Sequence, residues 1–342
     1  MSFKLTRCPD NPILKPEPRN PWVSKVVLNP AMLYEDGVFY LYYRAAGHDD
    51  THHIHIGLAT STDGVHFTRT STDPLLTPHD GDFDGGCIED PRISMIDDAC
   101  YMTYAYRPYP PGRYWDKTIR RPTPTEAYGL PAASPYSLTS NVTATALALV
   151  TDKTTIKKLG RITLSDVDDR DVVLFPGKVS DRFYRLSRPV RWSGDGYSNP
   201  QPAIWINDSA SILDWDESRT RLLMMGEEPW EEKKIGASTP PILTQAGWLM
   251  LYHGVDMQGV YRVGAALLDA ENPDRVIART RTPILEPEMD YEKSGIYNGC
   301  VFPTGVAQVN DTLYVYYGSA DQFCCLATGS IKALVNELLS SR

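Results

Sequence analysis

Hydrophobic and polar residues alternate along most of this chain in short runs, each bounded by Asp, Gly, Asn or Pro. One such run is VFYLYYR, which follows the turn Glu35-Asp36-Gly37. Alternation with a period of two is typical of β-strands that bury one face. Tyr, Trp and Phe supply 10% of the residues and lie mostly inside these runs, which also favours strands. The pattern predicts an all-β protein with few helices.

Five of these runs form repeats. Each repeat has an Xaa-Pro step, a strand, a tight polar turn and an aromatic strand, and the prolines that mark the repeats are Pro30, Pro91, Pro176, Pro241 and Pro303. Their spacings are 61, 85, 65 and 62 residues, so only the second is long. A third segment follows each aromatic strand, and a short outer strand usually follows that segment. A four-stranded unit repeated five times is typical of a β-propeller, in which each blade packs against its neighbours.

We therefore predict a single five-bladed β-propeller domain over residues 1–342, with a short C-terminal helix from Ile331 to Leu339. Residues 11–14 (NPIL) resemble residues 73–76 and 282–285. We expect this N-terminal stretch to supply an outer strand to the last blade, because such closure removes an exposed sheet edge.

The long interval contains an insertion of about residues 107–140, rich in Pro, Ser and Gly, which predicts a loop. Long loops on rigid scaffolds serve as lids and binding loops, or as intersubunit arms in a homo-oligomer. The sequence leaves these roles open.

Charge, cysteine spacing and the absence of long apolar runs indicate which partners and which compartment to expect. The formal net charge of -9 argues against nucleic acid, because nucleic-acid-binding surfaces need clustered excess Lys and Arg. The six cysteines have no CxxC pair and are interpreted as reduced thiols. The start, MSFKLTR, lacks an apolar signal core and no apolar run is long enough to span a membrane, so we expect a cytoplasmic protein without a membrane partner.

The repeats bring polar residues together at one place. The inner strands of a propeller start at its central axis, so residues at the opening of each repeat should converge on one cavity. These residues are Asn29, Glu89, Asp90, Asp169, Arg170, Asp171, Thr239 and either Asn298 or Thr304, with Arg44, Arg188, His253 and Asp321 past the aromatic strands. Burying such a ring costs free energy unless a ligand or water satisfies it, which indicates a binding site.

Aromatic side chains beside carboxylates and arginines are typical of sugar binding, because a pyranose has an apolar face and a rim of hydroxyls. Five aromatic residues near strand ends or in loops are the candidates for stacking on a sugar: Tyr104, Trp115, Trp192, Tyr197 and Trp205. Histidines 48, 52, 53 and 55 lie beside Asp49 and Asp50, but no second half-site accompanies them, so no metal site is expected.

Several motifs carry a family resemblance. The segments NPAMLYEDGVFYLYYRAAG, EDPRI, DVVLFPGK, RLSRP, PPILTQAGWLMLYHGV, YRVGAALLD, VFPTG and GSAD, in this order from about Asn11 to the C-terminus, resemble those of glycoside hydrolase family 130. The family comprises β-mannoside phosphorylases and related mannosidases with a five-bladed propeller fold.

The resemblance implies a reaction and a set of roles. Inorganic phosphate would attack the anomeric carbon of a β-mannoside with inversion and give α-mannose 1-phosphate, with phosphate as a co-substrate and no cofactor. Asp90, the aspartate of EDPR, would be the sole catalytic acid. Asn29, Arg44 and Asp321 would hold the reacting mannose, and Arg170, Arg188, His253 and Tyr261 would hold phosphate.

Elementary chemistry is consistent with these roles but leaves alternatives. An inverting hydrolase needs a second carboxylate to activate water, for which Asp166, Asp168, Glu227 and Glu228 are candidates. Phosphate is already an anionic nucleophile and needs cationic partners instead, and the arginine fork fits an oxyanion well. An inverting β-mannosidase and a non-catalytic sugar-binding propeller therefore remain alternatives, and the substrates include β-1,2- and β-1,4-linked mannosides and mannosyl-glucose.

Overall fold

The computed structural model describes residues 2–340 and consists mainly of antiparallel β-strands. The strands, in chain order, are β1 (Thr6–Arg7), β2 (Val26–Glu35), β3 (Val38–Ala46), β4 (Ile54–Ser61), β5 (Thr68–Arg69), β6 (Cys87–Ile96), β7 (Ala99–Arg107), β8 (Ala144–Thr151), β9 (Thr155–Arg161), β10 (Asp169–Leu174), β11 (Phe183–Pro189), β12 (Ile204–Ser209), β13 (Arg221–Met224), β14 (Lys234–Ala237), β15 (Ile242–Thr244), β16 (Gly247–Val255), β17 (Tyr261–Leu268), β18 (Val276–Arg279), β19 (Val301–Val309), β20 (Thr312–Ser319) and β21 (Phe323–Ser330). The α-helices are α1 (Pro124–Tyr128), α2 (Tyr136–Thr139), α3 (Asp290–Lys293) and α4 (Ile331–Ser340). Short 3-10 turns span Pro21–Val23, Glu217–Arg219 and Pro229–Glu231.

The strands form five antiparallel units. Units 1 and 2 contain β2 to β5 and β6 to β9, and one parallel pair between Ile54 and Cys87 joins them into a larger sheet. Unit 3 contains β10 to β13, and unit 4 contains β14 to β18, in which β14 and β15 both pair with β16. Unit 5 contains β19 to β21 and β1. The N-terminal β1 is thus the outer strand of the last unit, whereas the prediction placed that strand at residues 11–14, of which Leu14 makes a single bridge with Cys324.

The hydrophobic core lies between neighbouring units. Five apolar clusters each join one consecutive pair of units, and one of the five packs Leu41 and Tyr43 of unit 1 against Tyr316 and Leu326 of unit 5. Accordingly, the first strand of unit 5, β19, contacts the first strand of unit 1, β2. Each unit buries apolar side chains against the next, and the fifth packs against the first.

The third predicted repeat was aligned incorrectly. The sequence placed its opening at Phe175-Pro176, but β10 runs from Asp169 to Leu174 and the proline follows it. The position equivalent to Asn29 and Asp90 is Asp171, because all three lie at a register shift of the first strand. The Xaa-Pro steps in β2, β6 and β19 likewise fall inside these strands and not before them.

The insertion at residues 107–140 is not a plain loop, because α1 and α2 lie within it. A capping box begins α1: the Thr123 hydroxyl accepts from the Glu126 amide, and the Glu126 carboxylate accepts from the Thr123 amide at 2.8 Å. The sequence signal for this helix, Thr123 followed three residues later by Glu, was present but overlooked. The C-terminal helix was predicted and is observed as α4.

Candidate active site

Residues from all five units meet in a cavity of about 410 Å³. The eight residues for which the family resemblance implied a role all line it: Asn29, Arg44, Asp90, Arg170, Arg188, His253, Tyr261 and Asp321. The other lining residues are Ile54, Glu89, Arg107, Pro111, Tyr114, Lys117, Arg121, Asp171, Lys234, Tyr297, Cys300 and Phe302. The cavity is therefore rich in charged groups of both signs.

A repeated backbone feature aims polar side chains into this cavity. The first strands of units 1, 2 and 3 each carry a bulge, at Asn29, Asp90 and Asp171, where φ is 44°, 53° and 63°. Among residues other than glycine, Asn and Asp tolerate this left-handed conformation best. A bulge redirects the side chain next to it. These three positions thus need a residue that tolerates a positive φ and also carries a polar side chain for the cavity.

Asp90 is held by one of its two carboxylate oxygens. Asn29 Nδ2 donates to Asp90 Oδ1 at 2.8 Å and Arg44 Nη1 donates to the same atom at 2.9 Å. Within residues 2–340, no hydrogen bond reaches Oδ2 of Asp90. One oxygen is therefore fixed while the other is available to a ligand in the cavity.

Arg92 links the backbone of Asp90 in unit 2 to units 3 and 4. It is 2% exposed, and its Nη1 donates to the backbone carbonyl of Asp90 at 2.8 Å while its Nη2 donates to Asp171 Oδ1 at 3.2 Å. Its Nε donates to the carbonyl of Ser238 at 3.1 Å. This buried side chain fixes the backbone of Asp90 relative to units 3 and 4.

Asp321 lies in the half of the cavity formed by units 5 and 1. Burial raises the pKa of its carboxyl to about 6; Arg44 opposes the shift, and Asp90 and Glu89 add to it. The pKa of the neighbouring Glu89 is lowered despite burial, because Arg44 and Arg107 stabilise its charge. Arg44 Nη1 lies 3.0 Å from Glu89 Oε2. The cavity therefore contains two carboxyl groups whose pKa values are shifted in opposite directions, Asp321 upward and Glu89 downward.

Units 3 and 4 form a cationic half around two arginines. Arg188 is anchored through Nε, which donates to Asp171 Oδ2 at 2.6 Å, and neither of its Nη atoms has a hydrogen bond in the part of the chain that the structure describes. Arg170 is anchored by Asp168 at 2.8 Å and by the Thr143 hydroxyl at 2.9 Å. Anchoring of this kind fixes both guanidinium groups at the cavity wall.

Lys234, Tyr261 and His253 complete the cationic half. Burial, with repulsion from Arg188 and Arg170, lowers the pKa of Lys234 to about 7, and its Nζ donates to the Tyr261 hydroxyl at 2.7 Å. Burial also lowers the pKa of His253 to about 3 although Asp171 opposes this shift, so the imidazole is neutral at neutral pH. Its Nε2 is buried, lies 3.6 Å from Asp171 Oδ2 and has no hydrogen-bond partner in residues 2–340, so it can still bond to a ligand oxygen.

Gly318 of β20 leaves room for the side chain of Asn29. A Cβ atom at position 318 would lie 1.9 Å from Asn29 Oδ1. Gly318→Ala should therefore displace Asn29 from Asp90, reduce turnover more than tenfold and destabilise the fold by about 1–3 kcal/mol through overpacking. Thermal unfolding and steady-state kinetics check this.

The double variant Gly318→Ala/Asn29→Gly is the control for this substitution, because it removes the clashing oxygen and glycine tolerates the φ of 44° at position 29. It should recover most of the lost stability without recovering activity. Equal destabilisation of the single and double variants would show that the contact with Asn29 is not the cause.

Several residues that the sequence proposed lie elsewhere. None of the five stacking candidates lines the cavity: Tyr104 is buried with its hydroxyl 2.9 Å from Asp84, Trp115 packs on His52, and Trp192, Tyr197 and Trp205 form a separate aromatic cluster. The aromatic residues that line it are Tyr114, Tyr261, Tyr297 and Phe302. Alternation separates buried from exposed positions but does not show which buried rings face a cavity.

Other candidates have structural partners instead. Asp169, Thr239, Asn298 and Thr304 do not line the cavity, and the Thr304 hydroxyl donates to the Pro30 carbonyl where unit 5 meets unit 1. The four candidates for a second acid, Asp166, Asp168, Glu227 and Glu228, are also absent from the lining. Asp168 is bound to Arg170.

Lys234 and the basic residues in and beside the insertion were not predicted from the sequence to line the cavity. Lys234 opens β14 and pairs with Val255, but the repeat was taken to begin at Pro240-Pro241, so the position was not considered. Arg107, Lys117 and Arg121 reach the cavity from the end of β7 and the insertion, whose path no periodicity fixes.

The described residues contain neither a cluster of metal-ligating side chains nor a membrane-spanning helix. No group of three or more His, Cys, Asp and Glu side chains in residues 2–340 is arranged to hold a metal ion. Of the four histidines at positions 48, 52, 53 and 55 only His52 is buried, and burial lowers its pKa to about 4. No helix within this range is long and apolar enough to cross a membrane.

Comparisons with known proteins match the chain over nearly its whole length. A family model described as beta-1,4-mannooligosaccharide phosphorylase matches residues 4–339. A 1,2-beta-oligomannan phosphorylase from Thermoanaerobacter sp. is 33% identical over 93% of this chain and 95% of its own, and a beta-1,2-mannobiose phosphorylase from the same organism has the same identity and coverage.

Among solved structures, the beta-1,2-mannobiose phosphorylase from Listeria innocua in complex with beta-1,2-mannobiose is similar in fold. Its TM-score is 0.78 at 24% identity, and the match covers 98% of this chain and 99% of that one. At this identity the structural likeness concerns the fold alone.

Proposed function

The chain belongs to glycoside hydrolase family 130, and from that membership we propose that it catalyses the inverting phosphorolysis of β-mannosides. Inorganic phosphate would attack the anomeric carbon, and the products would be α-mannose 1-phosphate and the freed acceptor. The observation that carries the proposal is the composition of one cavity, in which Asp90 lies together with the cations Arg170, Arg188 and Lys234.

Asp90 is proposed as the general acid. As the phosphate oxygen bonds to the anomeric carbon, the bond from that carbon to the leaving oxygen breaks, and this oxygen must take a proton. Oδ1 of Asp90 is occupied by Asn29 and Arg44, so Oδ2 is the atom that would give the proton, directly or through a sugar hydroxyl. Asn29, Arg44 and Asp321 are proposed to hold the mannose.

Arg170, Arg188, His253 and Tyr261 are proposed to bind phosphate. We propose Lys234 as a further member of this group, because its Nζ lies 2.7 Å from the Tyr261 hydroxyl. Phosphate needs no base, and anchored cations offset its charge. None of the four acids suggested for activating water lines the cavity. Of the other carboxylates that do, Glu89 and Asp171 are paired with arginines and Asp321 is proposed to hold the mannose, which supports phosphorolysis over hydrolysis.

We also propose that the five units are the blades of a five-bladed β-propeller that forms one domain. Support comes from the five apolar clusters between consecutive units and from the contact of β19 with β2. The proposal concerns residues 2–340; Met1 and residues 341–342 of the predicted range 1–342 lie outside the described residues.

The proposed substrate is a β-1,2-linked manno-oligosaccharide. This linkage is supported by the names of the two relatives that match more than nine tenths of the chain. A β-1,4-mannooligosaccharide phosphorylase from Ruminococcus albus matches 50% of the chain, so β-1,4-linked mannosides and mannosyl-glucose are the alternatives. A screen of acceptors with mannose 1-phosphate as donor distinguishes them.

The direct test uses β-1,2-mannobiose with and without phosphate, followed by ¹H and ³¹P NMR. The proposal expects α-mannose 1-phosphate to form only when phosphate is present. Mannose release at the same rate in phosphate-free buffer would instead identify a β-mannosidase. Binding of mannosides without turnover in either buffer would identify a non-catalytic sugar-binding protein.

Lys234 should make phosphate use depend on pH. Because the pKa of this amine is lowered to about 7, it is cationic below that pH and neutral above it. Lys234→Gln should reduce kcat/KM for phosphate, and the ratio of the unmodified protein to the variant should fall about tenfold between pH 6 and pH 8. Steady-state kinetics across this range measures the ratio.

Lys157→Gln is the matched control, since this exposed lysine lies on β9 and does not line the cavity. The ratio of the unmodified protein to the control should stay near one at every pH. A ratio for Lys234→Gln that is constant with pH would show that titration of Lys234 does not govern phosphate binding.

A further inference from the structure

A second cavity of about 830 Å³ adjoins the first and is formed mainly by the insertion at residues 107–140. Its wall shares Arg107, Pro111, Lys117 and Arg121 with the first cavity. The two cavities therefore meet at these four residues, so a ligand in the first lies against side chains that also line the second.

The second cavity lies on one side of the reaction site. Asp50 and Thr51, between β3 and β4, supply part of its wall, and the remainder comes from Arg107 and residues that follow β7. These segments belong to units 1 and 2, whereas the proposed phosphate-binding residues belong to units 3 and 4. In an inverting displacement the nucleophile and the leaving group lie on opposite sides of the anomeric carbon, so the second cavity is on the leaving-group side.

This cavity is cationic although the chain has a net charge of -9. Five basic residues line it, Arg107, Arg113, Lys117, Arg120 and Arg121, against the two acids Asp50 and Asp116. Arg113 is paired with Asp50 at 2.6 Å, and Arg120 with Glu126 at 2.7 Å. Lys117 and Arg121 have no carboxylate within ion-pair distance in the part of the chain that the structure describes. Two uncompensated cations thus lie where the cavities join.

The same cavity has an aromatic surface. The rings of Tyr109 and Tyr128 stack with centroids 4.1 Å apart, and Tyr128 is 50% exposed. Asn141 fixes the backbone of Tyr109 through hydrogen bonds of 3.0 and 2.9 Å to its amide and carbonyl. An exposed, positioned ring of this kind suits the apolar face of a sugar.

We propose that the second cavity binds a leaving group that carries an anionic substituent, so that a β-mannoside whose leaving sugar is phosphorylated or carboxylated is preferred over the unsubstituted manno-oligosaccharide. Lys117 and Arg121 bind the oxyanion, and Tyr128 packs against the sugar ring. This inference rests on the proposed phosphorolysis, because that reaction defines which group leaves.

The test is synthesis in the reverse direction, with mannose 1-phosphate as donor and mannose, mannose 6-phosphate or glucuronic acid as acceptor. The measured quantity is kcat/KM for each anionic acceptor divided by kcat/KM for mannose. The proposal expects a ratio of about 10 to 100 for at least one anionic acceptor, as hydrogen bonds to charged groups provide. The two anionic acceptors distinguish a phosphate from a carboxylate.

Variants test the assignment to the two cations. Lys117→Gln/Arg121→Gln should bring the ratio close to one, and Arg121→Lys should retain most of it because the charge remains. Arg19→Ala removes an exposed arginine that lines neither cavity and should leave the ratio unchanged. Added salt should lower the ratio, since exposed charges are screened.

The outcomes separate this inference from the proposed function. No synthesis with any acceptor contradicts the phosphorolysis and the inference together. Synthesis from mannose with ratios at or below one contradicts the inference alone. A double variant that keeps the high ratio, or that changes only the KM for mannose 1-phosphate, also overturns it, because the two cations would then serve another purpose.

Discussion

Asp90→Asn should abolish phosphorolysis while leaving sugar binding and the fold intact. The amide oxygen of asparagine can still accept from Asn29 and Arg44, which hold Oδ1 of the aspartate at 2.8 and 2.9 Å. The amide N–H, however, is too weakly acidic to transfer a proton to a leaving oxygen. Loss of a general acid reduces kcat by about 10²–10⁴-fold. Steady-state kinetics gives kcat, and calorimetric titration with mannobiose gives the affinity.

Asp98→Asn is the matched control for this substitution. Asp98 lies in the exposed turn after β6 with φ 59°, a conformation that asparagine also tolerates. This variant should keep full activity. An Asp90→Asn protein that retains more than a tenth of the parent's kcat would contradict the assignment of Asp90 as the acid.

Arg188→Ala should have the second largest effect, on the use of phosphate. Arg188 is 4% exposed, and its Nη atoms are the part of the fork left for an anion when Asp171 holds Nε. We expect the KM for phosphate to rise about 10- to 100-fold, the range for a lost hydrogen bond to a charged group. The free energy of unfolding should also fall, because Asp171 loses a buried partner.

Arg188→Lys keeps the positive charge but lacks the planar guanidinium group that can donate two hydrogen bonds to an anion. Compared with Arg188→Ala, it should therefore restore the free energy of unfolding more than the affinity for phosphate. Arg182→Ala is the control, because Arg182 precedes the same strand and pairs with Asp208 outside the cavity. An unchanged KM for phosphate in Arg188→Ala would place the phosphate site elsewhere.

The architecture was largely predictable because local chemistry determines it. Period-two alternation and polar turns identified the five units, and Ile331 to Leu339 was recognised as helical by its apolar spacing. The errors arose where local signals do not determine strand limits. Pro176 was taken to open a repeat but follows β10, and Pro241 lies between β14 and β15.

Residues of the site were predictable where they occupy corresponding positions in the repeats. Asn29, Asp90 and Asp321 lie at left-handed positions at or beside first or second strands, and the repeat together with the family resemblance selected them. Lys117 and Arg121 could not be found in this way. They reach the cavity through an insertion in one unit, which has no counterpart in the other repeats and so no pattern to align.

A crystal structure of Asp90→Asn with β-1,2-mannobiose and phosphate would test the central claim most directly. The account predicts phosphate within hydrogen-bond distance of Arg170 and Arg188, and a mannose ring between that phosphate and residue 90, with the second sugar directed towards units 1 and 2. Phosphate bound away from both arginines, or a mannose ring that does not contact residue 90, would contradict it.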